Sequence, residues 1–350
     1  MELEERIREL EEEIHNTQKN KATERHIGLL KARIAHLREL EKKRSKKRKV
    51  VKGIRKSGDA TCSISGPPSV GKSTLINRLT SVESRVAEYD FTTLKVIEGM
   101  MIHKGAHIQL LDTPGLIGGA AKGKGRGREV LSSLRMCDLT IIILDPSTMD
   151  KKRGIEKELY DAGMRLNRKR PNIRIKKTDR GGTEVFGYGD KEFVKDLARE
   201  YGILNAKISV GKGSTTEDVI DFFSGNVHYT KALWFLNKVD NGELDVKGFD
   251  LQISAKYGKN MEKLKDLIFE RLDLIRVYTD TDTDTDADKE PMVLKKGSTV
   301  RDFCRRIHRD FEEKFRFARI WGSSVRYDGQ LVGLGHVLND EDTIKVEIKR

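Results

Sequence analysis

The fold of this 350-residue chain is decided by one stretch, Gly66-Pro67-Pro68-Ser69-Val70-Gly71-Lys72-Ser73. Two glycines separated by four residues, followed by Lys and a hydroxyl residue, have the spacing of a phosphate-binding loop. A strand is predicted just before it, at Ala60–Ser65, and a helix just after it, at residues 74–79. Glycine lets backbone N–H groups approach a phosphate closely, and a helix N-terminus favours negative charge. Because the motif requires this strand and helix, we favour a phosphate-binding loop over an incidental Gly-rich turn.

Strands and helices alternate after this loop, which is typical of a doubly wound α/β domain with a mostly parallel sheet. The run Leu139–Leu144 is continuously apolar, as expected for a strand buried on both faces of a parallel sheet. A hairpin is predicted from strands at 94–102 and 106–111. Further strands are predicted at 232–236 and 251–253, and an amphipathic helix at 261–272.

Three more short motifs each follow a predicted strand: Asp112-Thr113-Pro114-Gly115, Asn237-Lys238-Val239-Asp240 and Ser254-Ala255-Lys256. A carboxylate at Asp240 can accept two hydrogen bonds from guanine, one from the ring N–H and one from the exocyclic amine. Adenine has no donor at either position, so ATP would leave a buried carboxylate unpaired. Each motif alone is a weak signal, but the four in this order predict a GTP-binding domain.

Mg²⁺ is the expected cofactor, because P-loop sites hold it against the phosphates. Lys72 is expected between the β- and γ-phosphates, with the Ser73 hydroxyl on Mg²⁺ and Asp112 holding its water shell. The Gly115 N–H can reach the γ-phosphate. The segment Tyr89-Asp90-Phe91-Thr92-Thr93-Leu94 lies where a switch is expected, and one Thr hydroxyl there would complete the Mg²⁺ shell only with the γ-phosphate present. The alternative is a β-prone loop that leads into a strand.

Changes in composition and periodicity predict the domain boundaries. Residues 1–57 would hold a helical hairpin and a basic segment, 58–274 a P-loop GTPase domain, and 275–350 a tail. An inserted α+β subdomain is predicted at 150–228, because this stretch has its own periodic helices and strands. The tail has one predicted helix and a small mixed sheet, which suggests a ubiquitin-like β-grasp module.

Several short elements are predicted inside the insert and the tail. The insert should begin with a helix at 155–166, followed by strands at Ile173–Lys177, Thr183–Phe186 and Ala206–Val210. In the tail, Thr299 and Asp302 have the spacing of a capping box, and one strand is predicted at 325–327.

The amino-terminal region carries the densest positive charge. Its apolar stripes at helical spacing predict a structural hairpin, with a partner-binding arm as the alternative. Residues 42–56 then contain ten basic and no acidic residues. Positive charges this close together repel one another, whereas RNA or the ribosome would neutralise them and release counterions. The alternative is a solvated linker. The predicted RNA contacts are Lys42, Lys43, Arg44, Lys46, Lys47, Arg48 and Lys49.

Composition excludes several classes of protein. Lys and Arg number 68 and Asp and Glu 55, so the net charge is +13, which favours polyanionic partners. Three cysteines without a C-x-x-C pair argue against a disulfide scaffold and fit a reducing compartment. The amino end has no hydrophobic signal region, and no apolar run is long enough to cross a bilayer. We therefore expect a cytoplasmic protein without a membrane partner.

The motifs resemble those of the Obg superfamily of GTPases, and within it the developmentally regulated GTP-binding (DRG) proteins. The resemblance rests on Phe91-Thr92-Thr93, on residues 112–115 and on the glycine-rich residues 118–128. It implies that the amino-terminal helices are the family's helix-turn-helix region. The insert resembles a ribosomal S5 domain 2-like fold through Asn172-Ile173-Arg174-Ile175 and Gly181-Gly182-Thr183. The tail is similar to a TGS domain through Val300-Arg301-Asp302-Phe303-Cys304, Trp321-Gly322 and Asn339-Asp340-Glu341-Asp342.

The motifs and the resemblance together define the expected site. The resemblance implies that Thr93 is the Mg²⁺ ligand of the switch. The catalytic set is then Lys72, Thr93 and Gly115, and the metal set is Ser73, Thr93 and Asp112. The expected GTP contacts are Gly66, Pro67, Pro68, Ser69, Val70, Gly71, Lys72, Ser73, Thr74, Phe91, Thr92, Thr93, Asp112, Gly115, Asn237, Lys238, Asp240, Ser254, Ala255 and Lys256.

The expected activity is slow hydrolysis of GTP to GDP and phosphate by a molecular switch acting with the ribosome or RNA in translation. Leu116 stands where Ras-type enzymes place a Gln that orients the attacking water, so a partner protein, a backbone group or a monovalent cation must help. Relatives that use K⁺ often carry Asn at the position of Ser69, which leaves K⁺ as an open second cofactor. The alternatives are a non-enzymatic RNA- or ribosome-tethering scaffold with a structural nucleotide site, and an ATPase, against which Asp240 argues. The oligomeric state is left open.

Overall fold

The computed structural model of the chain describes residues 2–18, 20, 23–45, 57–80, 85–88, 95–112, 134–225, 227–240, 242, 244–280 and 290–349. The chain divides into two compact units. Unit 1 consists of Met1–Val51 and Gly163–Tyr229, and unit 2 of Lys52–Ala162 and Thr230–Arg350. Within the described part of the chain, none of the helices combines the length and the apolarity that crossing a membrane demands.

The described residues form nine α-helices and sixteen strands. The helices are α1 (Glu2–Asn16), α2 (Glu24–Ser45), α3 (Lys72–Leu79), α4 (Lys152–Asp161), α5 (Lys191–Glu200), α6 (Thr216–Ser224), α7 (Met261–Arg271), α8 (Val300–Ile307) and α9 (Arg309–Glu313). The strands are β1 (Ala60–Ser65), β2 (Arg85–Glu88), β3 (Lys95–His103), β4 (Ala106–Asp112), β5 (Leu139–Leu144), β6 (Met164–Leu166), β7 (Ile173–Lys177), β8 (Thr183–Phe186), β9 (Ala206–Val210), β10 (His228–Leu236), β11 (Leu251–Gln252), β12 (Leu274–Thr279), β13 (Met292–Lys295), β14 (Phe315–Trp321), β15 (Gln330–Val332) and β16 (Asp342–Ile348).

The main sheet of unit 2 has the strand order β11-β10-β5-β1-β4-β3-β2. The strands from β11 to β4 are parallel, and β3 and β2 extend the sheet as antiparallel neighbours. Strands β1 and β5 are buried along their whole length, which confirms the burial predicted for the apolar run of β5. The predicted doubly wound, mostly parallel α/β fold is therefore confirmed, and the carboxyl ends of its parallel strands share one edge, where such folds bind ligands.

The tail forms a second sheet in unit 2, with the order β13-β12-β16-β14-β15 and helix α8 packed against it. The predicted capping box at Thr299 and Asp302 is present. The strand predicted at 325–327 is wrong: these residues form a turn, and the edge strand β15 begins at Gln330, after Gly329 with φ +75°. A Gly in the left-handed region reverses the chain cheaply, so the strand begins after it.

The tail contacts the amino-terminal edge of the main sheet. Arg306 of α8 pairs with Asp59, which precedes β1, and Lys295 of β13 bonds Asp138, which precedes β5, at 3.1 Å. Leu274 and Val293 of the tail join the apolar core of the main sheet. The tail is thus anchored at the edge opposite to the carboxyl ends of the parallel strands.

Unit 1 combines the amino-terminal hairpin with most of the insert. Helices α5 and α6 pack on one face of a three-stranded sheet with the order β7-β9-β8, and Ala32 of α2 joins the same core. The helix predicted at 155–166 is partly wrong, because α4 ends at Asp161 and β6 follows. Gly163, with φ +85°, ends the helical conformation. Two residues later, Arg165 in β6 forms a buried ion pair with Asp221 at 2.6 Å. Because unit 1 resumes at Gly163, α4 lies in unit 2.

Candidate nucleotide-binding site

The phosphate-binding loop joins β1 to α3 through backbone positions that only glycine fills easily. Gly71, at the start of α3, has φ +92°, and a Cβ there would lie 2.5 Å from the Asn237 amide nitrogen. Gly66, with φ +156°, packs against the Ile143 carbonyl in the same way. Ser69 adopts φ +64°, a left-handed conformation in which Asn is favoured over most residues. The loop therefore closes over the end of the sheet with its N–H groups at the N-terminus of α3.

Lys72 lies across the loop that it follows. Its ammonium donates hydrogen bonds to the carbonyl oxygens of Gly66 at 3.1 Å and Pro67 at 2.8 Å. Burial lowers the pKa of Lys72, and the nearby Asp112 partly offsets this effect. The two carbonyl oxygens thus hold the Lys72 ammonium over the loop, where it can contact a bound phosphate.

Asp112 ends β4 beside the loop, because β1 and β4 pair in parallel with Ile64 opposite Asp112. One carboxylate oxygen accepts a hydrogen bond from the Ser73 hydroxyl at 3.4 Å. The other oxygen is buried and has no hydrogen-bond partner among the described residues. Burial raises the pKa of the Asp112 carboxyl, although Lys72 and Ser73 act against this. The Ser73 hydroxyl therefore lies beside a buried carboxylate that has one oxygen without a hydrogen-bond partner among the described residues. This pair fits Mg²⁺, which prefers oxygen ligands and keeps several waters.

The Asn237 side chain connects three motifs. Its amide donates to the Val70 carbonyl at 2.8 Å, and its amide oxygen accepts from the Ala255 N–H at 2.9 Å. The side chain is buried, with 2% exposed, and the Asn237 N–H continues the β5 pairing through the Leu144 carbonyl. The loop, the Asn237–Asp240 motif and the Ser254–Lys256 motif are therefore held as one body before any ligand enters.

Asp240 lies exposed at the rim of this body. The buried Ser254 hydroxyl donates to its carboxylate at 2.5 Å and accepts from the Tyr257 N–H at 3.2 Å. These two bonds fix the carboxylate while leaving it accessible to two parallel N–H donors. The backbone of the Ser254–Lys256 motif is held from α3, because Arg78 donates to the carbonyl oxygens of Ala255 at 3.4 Å and Lys256 at 2.9 Å.

Sequence reasoning missed Asp145 as a residue of this site. Asp145 follows β5 and is 5% exposed, and its carboxylate accepts from the Lys238 ammonium at 2.8 Å and from the Ser147 and Thr148 hydroxyls at 2.7 Å each. Burial alone would raise the pKa of Asp145, but the bonds from Lys238, Thr148 and Ser147 lower it from 3.8 to about 2. Strands β5 and β10 end together, with Leu144 opposite Leu236. The sequence signal that could have identified Asp145 is its position directly after the buried strand β5, at the edge where the other motifs converge.

Some predicted site residues lie outside the described residues: Phe91, Thr92, Thr93 and Gly115, together with Lys46, Lys47, Arg48 and Lys49. Lys42, Lys43 and Arg44 belong to the last turn of α2, but their side chains are not among those described. The other predicted GTP and metal residues meet at the carboxyl edge of the main sheet, with Pro68, Ser69, Thr74 and Lys256 exposed there.

Family models match almost the whole chain. Residues 61–177 match the model described as a 50S ribosome-binding GTPase, and residues 180–274 match the C-terminal region of the same domain. Residues 275–347 match the TGS domain. With the loop and base-side motifs in place, the chain is a GTP-binding protein with a GTPase domain and a carboxyl-terminal TGS domain.

Relatives of known family extend over the full length. Developmentally-regulated G-protein 3 of Arabidopsis thaliana is 42% identical, with 97% of this chain and 97% of the relative covered. Developmentally-regulated GTP-binding protein 1 of Xenopus laevis is 41% identical, covering 97% and 98%. An uncharacterized GTP-binding protein of Methanocaldococcus jannaschii is 42% identical, covering 100% and 94%. The chain belongs to the DRG family of GTP-binding proteins, which confirms the resemblance.

A likeness in structure is more distant. The YchF GTPase of Schizosaccharomyces pombe covers 85% of this chain and 100% of its own, at 15% identity and a TM-score of 0.47.

The opposite pKa shifts of Asp112 and Asp145 predict opposite effects on stability. A carboxyl whose pKa rises on folding destabilises the folded chain above that pKa, so Asp112→Asn should raise the melting temperature of the nucleotide-free protein at neutral pH. A carboxyl whose pKa falls on folding stabilises the chain above its ordinary pKa. Asp145→Asn should therefore cost about 2 kcal/mol at neutral pH. Thermal unfolding in EDTA measures both.

The pH dependence of the same melting curves supplies the control. The gain of Asp112→Asn should vanish as the pH is lowered through the raised pKa of Asp112, because the wild-type carboxyl then protonates. The loss of Asp145→Asn should diminish as the pH falls below the ordinary carboxyl pKa of 3.8, and it should vanish near the folded-state pKa of about 2. Two variants that shift the melting temperature in the same direction at pH 7 would contradict this account.

We predict that Asp145 acts on the nucleotide only through Lys238. Asp145→Asn should speed GDP dissociation about tenfold, because the lysine loses a charge-assisted bond to its partner. Lys238→Met keeps the aliphatic stem without the ammonium, so adding Asp145→Asn to it should have no further effect. In an Asp240→Asn background, measured with the nucleotide that this variant prefers, the tenfold effect should remain. Stopped-flow release of a fluorescent nucleotide measures all six rates, and full additivity with Lys238→Met would disprove the coupling.

Proposed function

We propose that the protein hydrolyses GTP to GDP and phosphate as a slow molecular switch. The observation that carries this proposal is the preassembled base pocket, in which Asn237 joins the phosphate-binding loop to the Ser254–Lys256 motif and Ser254 aims the Asp240 carboxylate outward. Asp240 would accept the guanine ring N–H and exocyclic amine, while the loop N–H groups and Lys72 hold the phosphates. Membership of the DRG family supports the same assignment.

Mg²⁺ fits the phosphate end of the pocket. Ser73 would ligate it and Asp112 would hold its water shell, with Thr93 as the switch ligand in the GTP state. When bound, Mg²⁺ neutralises charge on the β- and γ-phosphates. The buried Asp112 oxygen without a partner among the described residues supports this assignment. In the same proposal, Lys72 neutralises phosphate charge and the Gly115 N–H senses the γ-phosphate.

The hydrolysis should be slow, since Leu116 can neither donate nor accept the hydrogen bond that orients the attacking water. A partner protein, the ribosome or K⁺ would then supply the missing function. Ser69 has a left-handed backbone conformation, which Asn also adopts readily. The loop could therefore accept the Asn that K⁺-dependent relatives carry at this position, so the activity test includes K⁺.

We propose the ribosome or RNA as the partner in translation and the cytoplasm as the location. The basic run at 42–56 and the net charge of +13 support a polyphosphate partner. The matching family model bears the description 50S ribosome-binding GTPase, which supports the ribosome in particular. The three cysteines are buried and form no disulfide, which supports a reducing compartment.

Base selection tests the pocket. Asp240→Asn should weaken GTP binding at least about 100-fold, because two charge-assisted hydrogen bonds are lost. The same variant should prefer xanthosine triphosphate, whose ring carbonyl accepts from the new amide. Calorimetry with both nucleotides measures the preference. Asp145→Asn, a matched carboxylate change in the same site that does not face the base, should keep the preference for guanine. An unchanged guanine preference in Asp240→Asn would refute the assignment of the pocket.

Phosphate release under single-turnover conditions tests the activity. The protein alone should hydrolyse GTP below about 10⁻³ s⁻¹, and ribosomes or K⁺ in place of Na⁺ should raise the rate. Lys72→Ala is the control that should abolish release in every condition. If no phosphate is released with or without ribosomes and K⁺, the nucleotide is structural and the protein is a tethering scaffold instead of an enzyme.

A further inference from the structure

The three-stranded sheet of unit 1 has two very different faces. Its inward side chains, among them Val185 and Ile208, are buried under α5 and α6. Its outward side chains are exposed, and we call this set the open sheet face: Arg174 and Lys176 on β7, Lys207 and Ser209 on β9, and Glu184 and Phe186 on β8.

The strand register arranges the open sheet face in two rows. In the first row Lys176 lies directly opposite Lys207, which pairs at 3.7 Å with Glu184 on its other side. In the second row Ser209 lies between Arg174 and Phe186. Adjacent strands are about 4.8 Å apart, so Arg174 and Phe186 flank a gap of roughly 10 Å that the short Ser209 side chain leaves open.

Two features of this face would be relieved by a suitable ligand. Like charges directly opposite each other on antiparallel strands are destabilising, as for Lys176 and Lys207. Phe186 is 48% exposed on an otherwise polar face, so much of its apolar surface remains in water. Three cations and one carboxylate leave the face positive. A polyanion that also offers a flat apolar surface would relieve both features.

We propose that the open sheet face binds single-stranded RNA. A base stacks on Phe186, and the phosphates on either side meet Arg174 and Lys176, which project from the same face of β7. The Ser209 hydroxyl, between them, bonds a ribose 2′-hydroxyl, which distinguishes RNA from DNA. A duplex is excluded because its bases are already stacked. This proposal rests on the proposed RNA partner and is independent of the nucleotide pocket.

The full-length protein with bound GDP and a fluorescent 12-nucleotide uridine strand form the test. Phe186→Ala should weaken binding at least about fivefold, and Phe186→Trp should restore it, because stacking needs an aromatic face. Arg174→Ala with Lys176→Ala should lower the slope of log affinity against log salt by about 1.4, the value for two phosphate contacts on a single strand. The deoxyuridine strand should bind more weakly than the uridine strand, and Ser209→Ala should remove that difference.

The matched control removes the same charge from the other face of the same subdomain. Lys191→Ala with Lys195→Ala on α5 should leave the affinity and the salt slope unchanged. An equal loss in this control, or no loss in Phe186→Ala, would overturn the proposal. Equal binding of the two strands would overturn the choice of RNA, and displacement of the RNA by a poly-glutamate peptide without loss in Phe186→Ala would assign the face to acidic proteins.

Further outcomes separate this surface from the proposed function. If the intact protein binds no RNA, the RNA partner and the open sheet face fail together, while GTP hydrolysis is judged by phosphate release alone. If replacing Lys46, Lys47, Arg48 and Lys49 by Ser abolishes binding that the sheet variants retain, the RNA partner stands and the open sheet face is overturned. Melting temperatures of the sheet variants that are no lower than that of the wild type establish that the fold is intact.

Discussion

The Asn237 amide is the contact on which the nucleotide site depends. It bonds the Val70 carbonyl of the phosphate-binding loop and the Ala255 N–H of the base-side loop, 167 and 18 residues away in sequence. Gly71 has to lack a Cβ so that this amide can approach. Since the amide is buried and both bonds are satisfied, losing it would leave a buried carbonyl and a buried N–H unpaired at once. The two halves of the pocket are therefore assembled together or not at all.

Much of this arrangement could be predicted from local sequence. The apolar run of β5 identifies a strand buried on both faces, and the phosphate-binding motif requires β1 directly before it. Parallel strands place whatever follows them at one edge. Motifs that come directly after strands must then converge. That is why the convergence of Ser73, Asp112, Asn237 and Ser254 can be predicted without knowledge of the strand order.

What could not be predicted depends on partners that are distant in sequence. Asp145 belongs to no motif, and its role becomes visible only when Lys238, 93 residues later, is seen to donate to it. Arg165 was assigned to a helix because its neighbours are periodic, whereas its buried pairing with Asp221 and the left-handed Gly163 favour a strand. Residues 325–327 look like a strand locally, but the edge of the tail sheet begins only after the turn at Gly329.

The buried carboxylates of Asp145 and Asp112 differ in how far the protein itself compensates their charge. At the base end, Asp145 is compensated by three donors within the protein, so it is ionised and ordered whatever the ligand. At the phosphate end, burial disfavours the charges of both Lys72 and Asp112, and one Asp112 oxygen has no partner among the described residues. In the proposed function, a phosphate and Mg²⁺ would supply the missing compensation there, whereas Asp145 already has its donors within the protein. In the proposed function, ligand binding therefore acts at the phosphate end of the pocket, while the base end is already assembled for recognition of guanine.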